Sequence, residues 1–217
     1  MVRADIDCLF SQILRGVAYL HSVGIAHRDL KLDNCVVSFF GPQDCRACLK
    51  IIDFGCSTVF RVPWETMAHE CTGVYGSDPY IPPEEFMCAR YDARCADVWA
   101  AAVIYVCMSL FPAVLTLRPP ASARQFPWRV ARPDVDRRFQ GYYTLRSSSC
   151  IDALAEAQRD VVYRMLEICP SERATAEEVL ADPWVSQIET CCQGADRAGD
   201  PVLKHAHRHA PIAGILD

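Results

Sequence analysis

The sequence has 217 residues, is 51% hydrophobic and 23% charged, and carries a formal net charge of −5; that suffices for one domain with a buried core and excludes a disordered chain. The mild acidic balance, without a basic stripe, excludes a nucleic-acid footprint and leaves proteins or nucleotides as partners. No apolar run has the length of a transmembrane segment, the longest, near Ala100 to Leu110, being of buried-helix size, and Met1 to Asp5 is no secretory stretch, so the thirteen cysteines are expected to be reduced thiols of a cytoplasmic protein.

From Asp5 to Val23, the residues Ile6, Phe10, Ile13, Val17 and Leu20 recur at alternating steps of four and three, which predicts a helix with one buried face. Gly24 is its stop signal, able to take a left-handed conformation. His27-Arg28-Asp29-Leu30-Lys31-Leu32-Asp33-Asn34 follows at once and is the most specific stretch in the sequence. Alone, an Asp with an Asn five residues on is turn chemistry, since both side chains bond their own backbone. Cys35 to Phe40 and Leu49 to Ile52 are apolar, β-branched and aromatic runs, predicted to be two short strands joined by a turn at Gly41-Pro42-Gln43-Asp44. Such a pair brings Asn34 and Asp53 to one edge. Asp53-Phe54-Gly55 comes directly after the second strand, where by itself it reads as a strand-ending turn. Cys56 to Glu84 is loop-like, with Pro63, Gly73, Gly76, Pro79, Pro82 and Pro83.

Ala96 to Leu110 is apolar nearly all round and predicts a core helix, headed by Asp97-Val98-Trp99. Phe111 to Gly141 is irregular, with prolines at 112, 119, 120, 127 and 133, and its first half reads as an exposed linker. Short helices are expected over Asp136 to Leu145 and Asp160 to Glu167. Thr175-Ala176-Glu177-Glu178 is a capping box opening a helix that runs to Trp184 or a little beyond. The fold class is mainly α with one small β-hairpin, in a domain over residues 1–190 followed by a disordered tail over 191–217. One alternative for Cys45-x-x-Cys48 is a zinc site with Cys191, Cys192, His205, His207 and His209, although the pairs lack matched spacing.

The loop from His27 to Asn34 fits the pattern H-R-D-L-x-x-x-N. Together with Asp53-Phe54-Gly55, the run Gly76-Ser77-Asp78-Pro79-Tyr80-Ile81-Pro82-Pro83-Glu84, Asp97-Val98-Trp99 and Arg173, it resembles the large, C-terminal lobe of a eukaryotic protein kinase. The resemblance implies ATP and Mg2+ as cofactors and protein serine or threonine hydroxyls as substrates. By it, Asp29 orients and deprotonates the substrate hydroxyl, and Lys31 offers positive charge to the transferring phosphoryl group and marks the serine/threonine type. Lys31, Asp33, Asn34 and Asp53 form the nucleotide-binding set, with Asn34 and Asp53 the magnesium ligands. Phe54 is the packing residue of its motif, and Gly55 lets the backbone swing. Cys56 to Glu84 corresponds to the activation segment, in which Arg28 receives a phosphate carried by Thr72 or Thr66, and Ser77 and Glu84 belong to the same unit. Glu84 pairs with Arg173, and Asp97 braces the catalytic loop from below. Pro82 departs from the usual Ala, and Ala102 stands where the family commonly has Gly. Asp7 to Phe10, Gly16 to Ser22, Asp33 to Cys35 and Gly76 to Tyr80 are similar in wording to fungal serine/threonine kinases of the nitrogen-permease-reactivator and halotolerance type, which regulate nutrient permeases and salt tolerance.

No Gly-x-Gly-x-x-Gly, Val-Ala-x-Lys or helix with a Glu partner precedes the first helix, so the small lobe is expected to be missing, with truncation favoured over a duplicated-gene fragment or a stand-alone lobe. Two functions follow. One is a Mg-ATP-dependent serine/threonine protein kinase; the other is a catalytically inactive lobe that binds kinase substrates or regulators. Pro83-Glu84 and Arg173 speak against a small-molecule phosphotransferase.

Overall fold

The computed structural model describes residues 3–40, 46–110, 126–195 and 201–203. Helix α1 (Arg3–Ser22) buries Ile6, Phe10, Ile13, Val17 and Leu20, the stripe its spacing predicts. The chain turns away after it at Gly24, which has a φ of +83° and accepts from Phe60 N at 2.9 Å. A Cβ there would lie 1.9 Å from the Arg61 carbonyl oxygen.

Four strands follow in two antiparallel pairs. β1 (Ile25–Ala26) pairs with β4 (Thr58–Val59), and β2 (Cys35–Phe40) pairs with β3 (Arg46–Ile51) from Cys35↔Ile51 to Phe40↔Arg46. β3 begins earlier than the apolar run Leu49 to Ile52 indicates, because Arg46 and Lys50 take partly or fully exposed sites on a half-buried strand. The turn at Gly41 to Asp44 lies outside the described residues. Gln12 fastens the hairpin to α1: its Nε2 donates to Ala47 O at 3.1 Å and its Oε1 accepts from Leu49 N at 2.9 Å.

α2 (Pro83–Met87) is one short helix, and α3 (Ala93–Leu110) is the core post, buried at every position from Ala96 to Met108. α3 starts three residues before the expected Ala96 because the Asp92 carboxylate accepts from Arg94 N at 2.9 Å, capping an earlier turn. By length and composition α3 resembles a membrane span, yet 78% of it is buried inside the fold. Trp99 on α3 meets Trp128, Phe139 and Tyr142 at ring-centroid distances of 5.4, 6.2 and 6.4 Å. Full burial of each such side chain is worth roughly 1.5–3 kcal/mol.

The remaining helices are α4 (Arg137–Leu145), α5 (Ser149–Asp152), α6 (Glu156–Met165), α7 (Ala176–Leu180) and α8 (Pro183–Ser186). α4 lies within the helix expected over Asp136 to Leu145, and Asp136 caps it, accepting from Arg138 N and Phe139 N. α6 starts at Glu156 rather than Asp160, since its first turn is polar and gives no apolar signal. The capping box at Thr175 is present, but the helix it opens stops at Leu180 and does not run to Trp184. Pro183 brings no N–H, and the Asp182 carboxylate accepts from Trp184 N at 2.9 Å, so a separate turn begins there.

Within the stretch for which no regular structure was expected, β5 (Cys192–Ala195) and β6 (Pro201–Leu203) pair antiparallel, and β5 lies against α1 and β3. Cys191 and Cys192 are buried, which the polar composition around them hides. Residues 196–200 and 204–217, the linker over 111–125, and Cys45 and the tail histidines of the zinc alternative lie outside the described residues. Among the described residues no three metal-ligating side chains converge.

Candidate active site

The loop after β1 is held from below by one buried carboxylate. Asp97 Oδ2 accepts from His21 Nε2 and from His27 N, both at 2.9 Å, and Oδ1 accepts from Arg28 N at 2.8 Å. Three bonds to one ion fix the chain where Arg28 takes a φ of +64°, a conformation that side chains rarely adopt. His27 adds a second brace: its ring accepts from Asp29 N at 3.3 Å, which leaves Nε2 to donate to Ile52 O at 2.9 Å.

The backbone so fixed points Asp29 into a four-residue cluster. Lys31 Nζ donates to Asp29 Oδ2 at 2.7 Å and to Ser77 Oγ at 2.9 Å, while Ser77 Oγ donates to Asp29 Oδ1 at 2.9 Å. Asn34 Nδ2 donates to Asp29 O at 2.8 Å. With Nδ2 engaged there, Oδ1 is the Asn34 atom left for a cation. The bond to Asp29 raises the Lys31 ammonium above its ordinary range, and the charges of Asp29, Asp33 and Asp53 add to the rise. Lys31 is therefore a cation at any physiological pH.

Asp53 arrives from the far side of the hairpin. Ile52 N donates to Asn34 O at 2.9 Å, closing the open end of β2 and β3 so that Asn34 and Asp53 leave it together. Asp53 is exposed, has a φ of +64°, and accepts from Gly55 N through Oδ1 at 3.2 Å. An amide oxygen and a carboxylate at one edge are hard oxygen donors, and magnesium is commonly held by one or two such groups plus phosphates and water. Asp33 is exposed on the turn Leu32–Asn34 between the two. Phe54 packs its ring 5.0 Å from that of His27 while remaining 45% exposed.

The segment from Cys56 to Glu84 is shaped around Arg28. Its Nε donates to Cys56 O at 2.8 Å and its guanidinium lies 4.0 Å over the Tyr75 ring. Gly76, at φ +103°, passes so close that a Cβ would sit 2.7 Å from Arg28 O. Thr72 and Thr66 are exposed on the same segment. At its end Glu84 meets Arg173 in a fork of 2.6 and 2.8 Å, and Arg173 also donates to Glu167 O and Cys95 O. Trp128 Nε1 donates to Pro79 O at 3.1 Å, tying the segment to the aromatic core. Glu85, next to the fork, is 4% exposed; Oε2 accepts from Tyr75 N at 2.9 Å, and Oε1 has no partner of good geometry. Burial pushes its carboxyl up to about 7, against the pull of the Tyr75 N–H, Tyr91 and Arg28.

Asp29, Lys31, Asn34 and Ser77 thus converge, with Arg28 and Asp97 behind them and Asp53 at the adjoining edge. The supports that sequence reasoning missed are Gln12, His21, Tyr75 and Glu85. Gln12 had a usable signal, a polar residue beside the apolar stripe of α1.

A helical fold whose catalytic-type Asp loop is braced by a buried Asp on the central helix defines the protein kinases, and residues 1–185 match the protein kinase domain. The chain belongs to the protein kinase family. It is 37% identical to the serine/threonine-protein kinase PRR2 of Saccharomyces cerevisiae, over 97% of this chain and 34% of that protein. The nitrogen permease reactivator protein of the same yeast is 32% identical over 96% of the chain and 30% of its own length. The serine/threonine-protein kinase hal4 of Schizosaccharomyces pombe is 37% identical over 88% of the chain and 28% of its length. These are fungal kinases of the type that the sequence resembles, and the chain spans about a third of the length of the curated relatives it matches.

Proposed function

We propose that this chain is the large-lobe portion of a cytoplasmic serine/threonine protein kinase that transfers the ATP γ-phosphate to protein serine or threonine hydroxyls. The observation that carries the reading is the Asp29–Lys31–Ser77 triangle, closed by Asn34 and anchored on Asp97. Asp29 accepts the proton of the incoming hydroxyl and orients it. Lys31, cationic and held between Asp29 and Ser77, offsets negative charge that develops during transfer. Asn34 Oδ1 and the Asp53 carboxylate would hold magnesium, which when bound with ATP neutralises phosphate charge. Asp97, through the backbone of His27 and Arg28, keeps Asp29 aimed. Thr72 is the phosphate-accepting residue we assign to the activation segment, with Arg28 as its receiver.

The test is phosphorylation of serine- and threonine-containing peptides by the full-length parent kinase, with tyrosine peptides as the control. Transfer to tyrosine alone would reject the assignment.

A second reading, binding without catalysis, draws on the exposed apolar side chains Phe54, Trp64 (83% exposed) and Met67 (78%) in the stretch that follows Asp53. Capture of peptide substrates that survives loss of Asp29, in a parent without transferase activity, would favour it.

A further inference from the structure

Two pairs of cysteines lie where β5 packs against α1 and β3, away from the Asp29 cluster. Cys192 Sγ is 3.2 Å from Cys48 Sγ, and Cys191 N donates to Cys8 Sγ at 3.4 Å. All four are buried thiols. We propose that Cys48 and Cys192 are an oxidative modification site, a thiol pair that closes to a disulfide and ties the β5–β6 pair to the hairpin carrying Asn34 and Asp53.

Both sulfurs are placed by their neighbours. Gln12 binds the backbone on either side of Cys48, through Ala47 O and Leu49 N, so the strand cannot slide under it. Cys192 is set by the adjacent Cys191, whose N–H is fastened to Cys8 Sγ. The sulfurs need approach by only about 1.2 Å to reach the ~2.05 Å of a disulfide, a change within reach of side-chain rotation. Cys8 Sγ accepts from Gln12 Nε2 at 3.3 Å as well as from Cys191 N, and its thiol also meets that of Cys191, so Cys8 and Cys191 are the competing pair.

The oxidant is a small-molecule disulfide such as glutathione disulfide. One protein thiolate attacks a sulfur of it, expelling one glutathione thiolate and forming a mixed disulfide. The second protein thiolate then displaces the other glutathione. Two S–H bonds are lost from the protein, one S–S bond forms, and the oxidant leaves as two thiols carrying both protons and both electrons. Burial, with Cys192 alongside, pushes the Cys48 thiol up to about 12, so at neutral pH the reaction waits on transient lifting of β5 and is slow, accelerating as pH rises.

This inference is independent of the kinase reading. The 217-residue chain is incubated with glutathione disulfide under native conditions, alkylated, digested without reduction and mapped by mass spectrometry. The expected result is a predominant Cys48–Cys192 linked peptide, an intact mass lower by two hydrogens, reversal by dithiothreitol, and slower proteolysis of the C-terminal segment in the oxidised chain. Cys8→Ser keeps the link; Cys192→Ser abolishes it. Alkylation of both Cys48 and Cys192 in oxidant-treated wild-type chain would overturn the proposal, as would a predominant Cys8–Cys191 link or glutathione left on Cys48. The mapping of the wild-type chain stands even if a variant fails to fold.

Discussion

Arg173 closes a two-bond fork on Glu84 across 89 positions of sequence, with both side chains almost fully buried. The fork joins the first turn of α2 to the loop before α7, and Trp99 lies under the guanidinium, 4.9 Å from its centre. Removing one partner leaves the other ion buried without compensation. Arg173→Ala is therefore expected to cost on the order of 3–5 kcal/mol in urea denaturation. A loss in the range of ordinary surface changes would contradict the role of the pair.

Asp97 gives the second prediction. Its carboxylate accepts three hydrogen bonds, and Asn in its place turns an N–H toward at least one donor. Asp97→Asn is expected to destabilise the chain by roughly 1–3 kcal/mol and, in the parent kinase, to lower turnover because Asp29 loses its backing. An unchanged denaturation midpoint would show that the brace is dispensable.

Glu85 predicts a pH dependence. Its ordinary value is 4.5 and burial raises it to about 7, so the folded chain holds the proton more tightly than the unfolded one. Below about pH 4.5 both states are protonated and the group has no effect. Between 4.5 and 7 the unfolded state ionises first, and stability falls as pH rises, by roughly 3 kcal/mol in total. Glu85→Gln is expected to remove that slope. A parallel slope in wild type and variant, read from denaturation midpoints across this range, would rule out Glu85 as its source.

The helices with a strong apolar period were legible in the sequence, as were the residues of the site whose types are dictated by chemistry. α1, β2 and the Thr175 cap follow from local patterns, and the Glu84–Arg173 and Asp97 relationships follow from the family resemblance. What was not legible depends on distant partners. Gln12 and His21 look like ordinary helix polar residues until β3 and Asp97 are in place, and Glu85 looks exposed until Tyr75 folds over Arg28. The break between α7 and α8 was signalled by Pro183, but the capping role of Asp182 outweighed the continuing period. β5 escaped detection because its strand is short and polar.

Thr72 is exposed, on the same segment as Tyr75, whose ring lies 4.0 Å under the Arg28 guanidinium. Phosphate on Thr72 is expected to order the segment through charge-assisted bonds to Arg28. The parent kinase isolated from its cell should carry it, and Thr72→Ala should lower activity. Mass spectrometry showing an unmodified Thr72 in active kinase, or full activity of the variant, would remove this assignment.

The central claim, that Asp29 serves the substrate hydroxyl within a cluster fixed by Asp97, is tested most directly by Asp29→Asn in the full-length parent kinase. Peptide phosphorylation and nucleotide binding are measured on the same preparation. The expected result is a fall in turnover of roughly two to four decades with nucleotide affinity nearly unchanged, as loss of a general base and orienting group requires. A near-normal rate in the variant, with wild-type folding, would contradict the account.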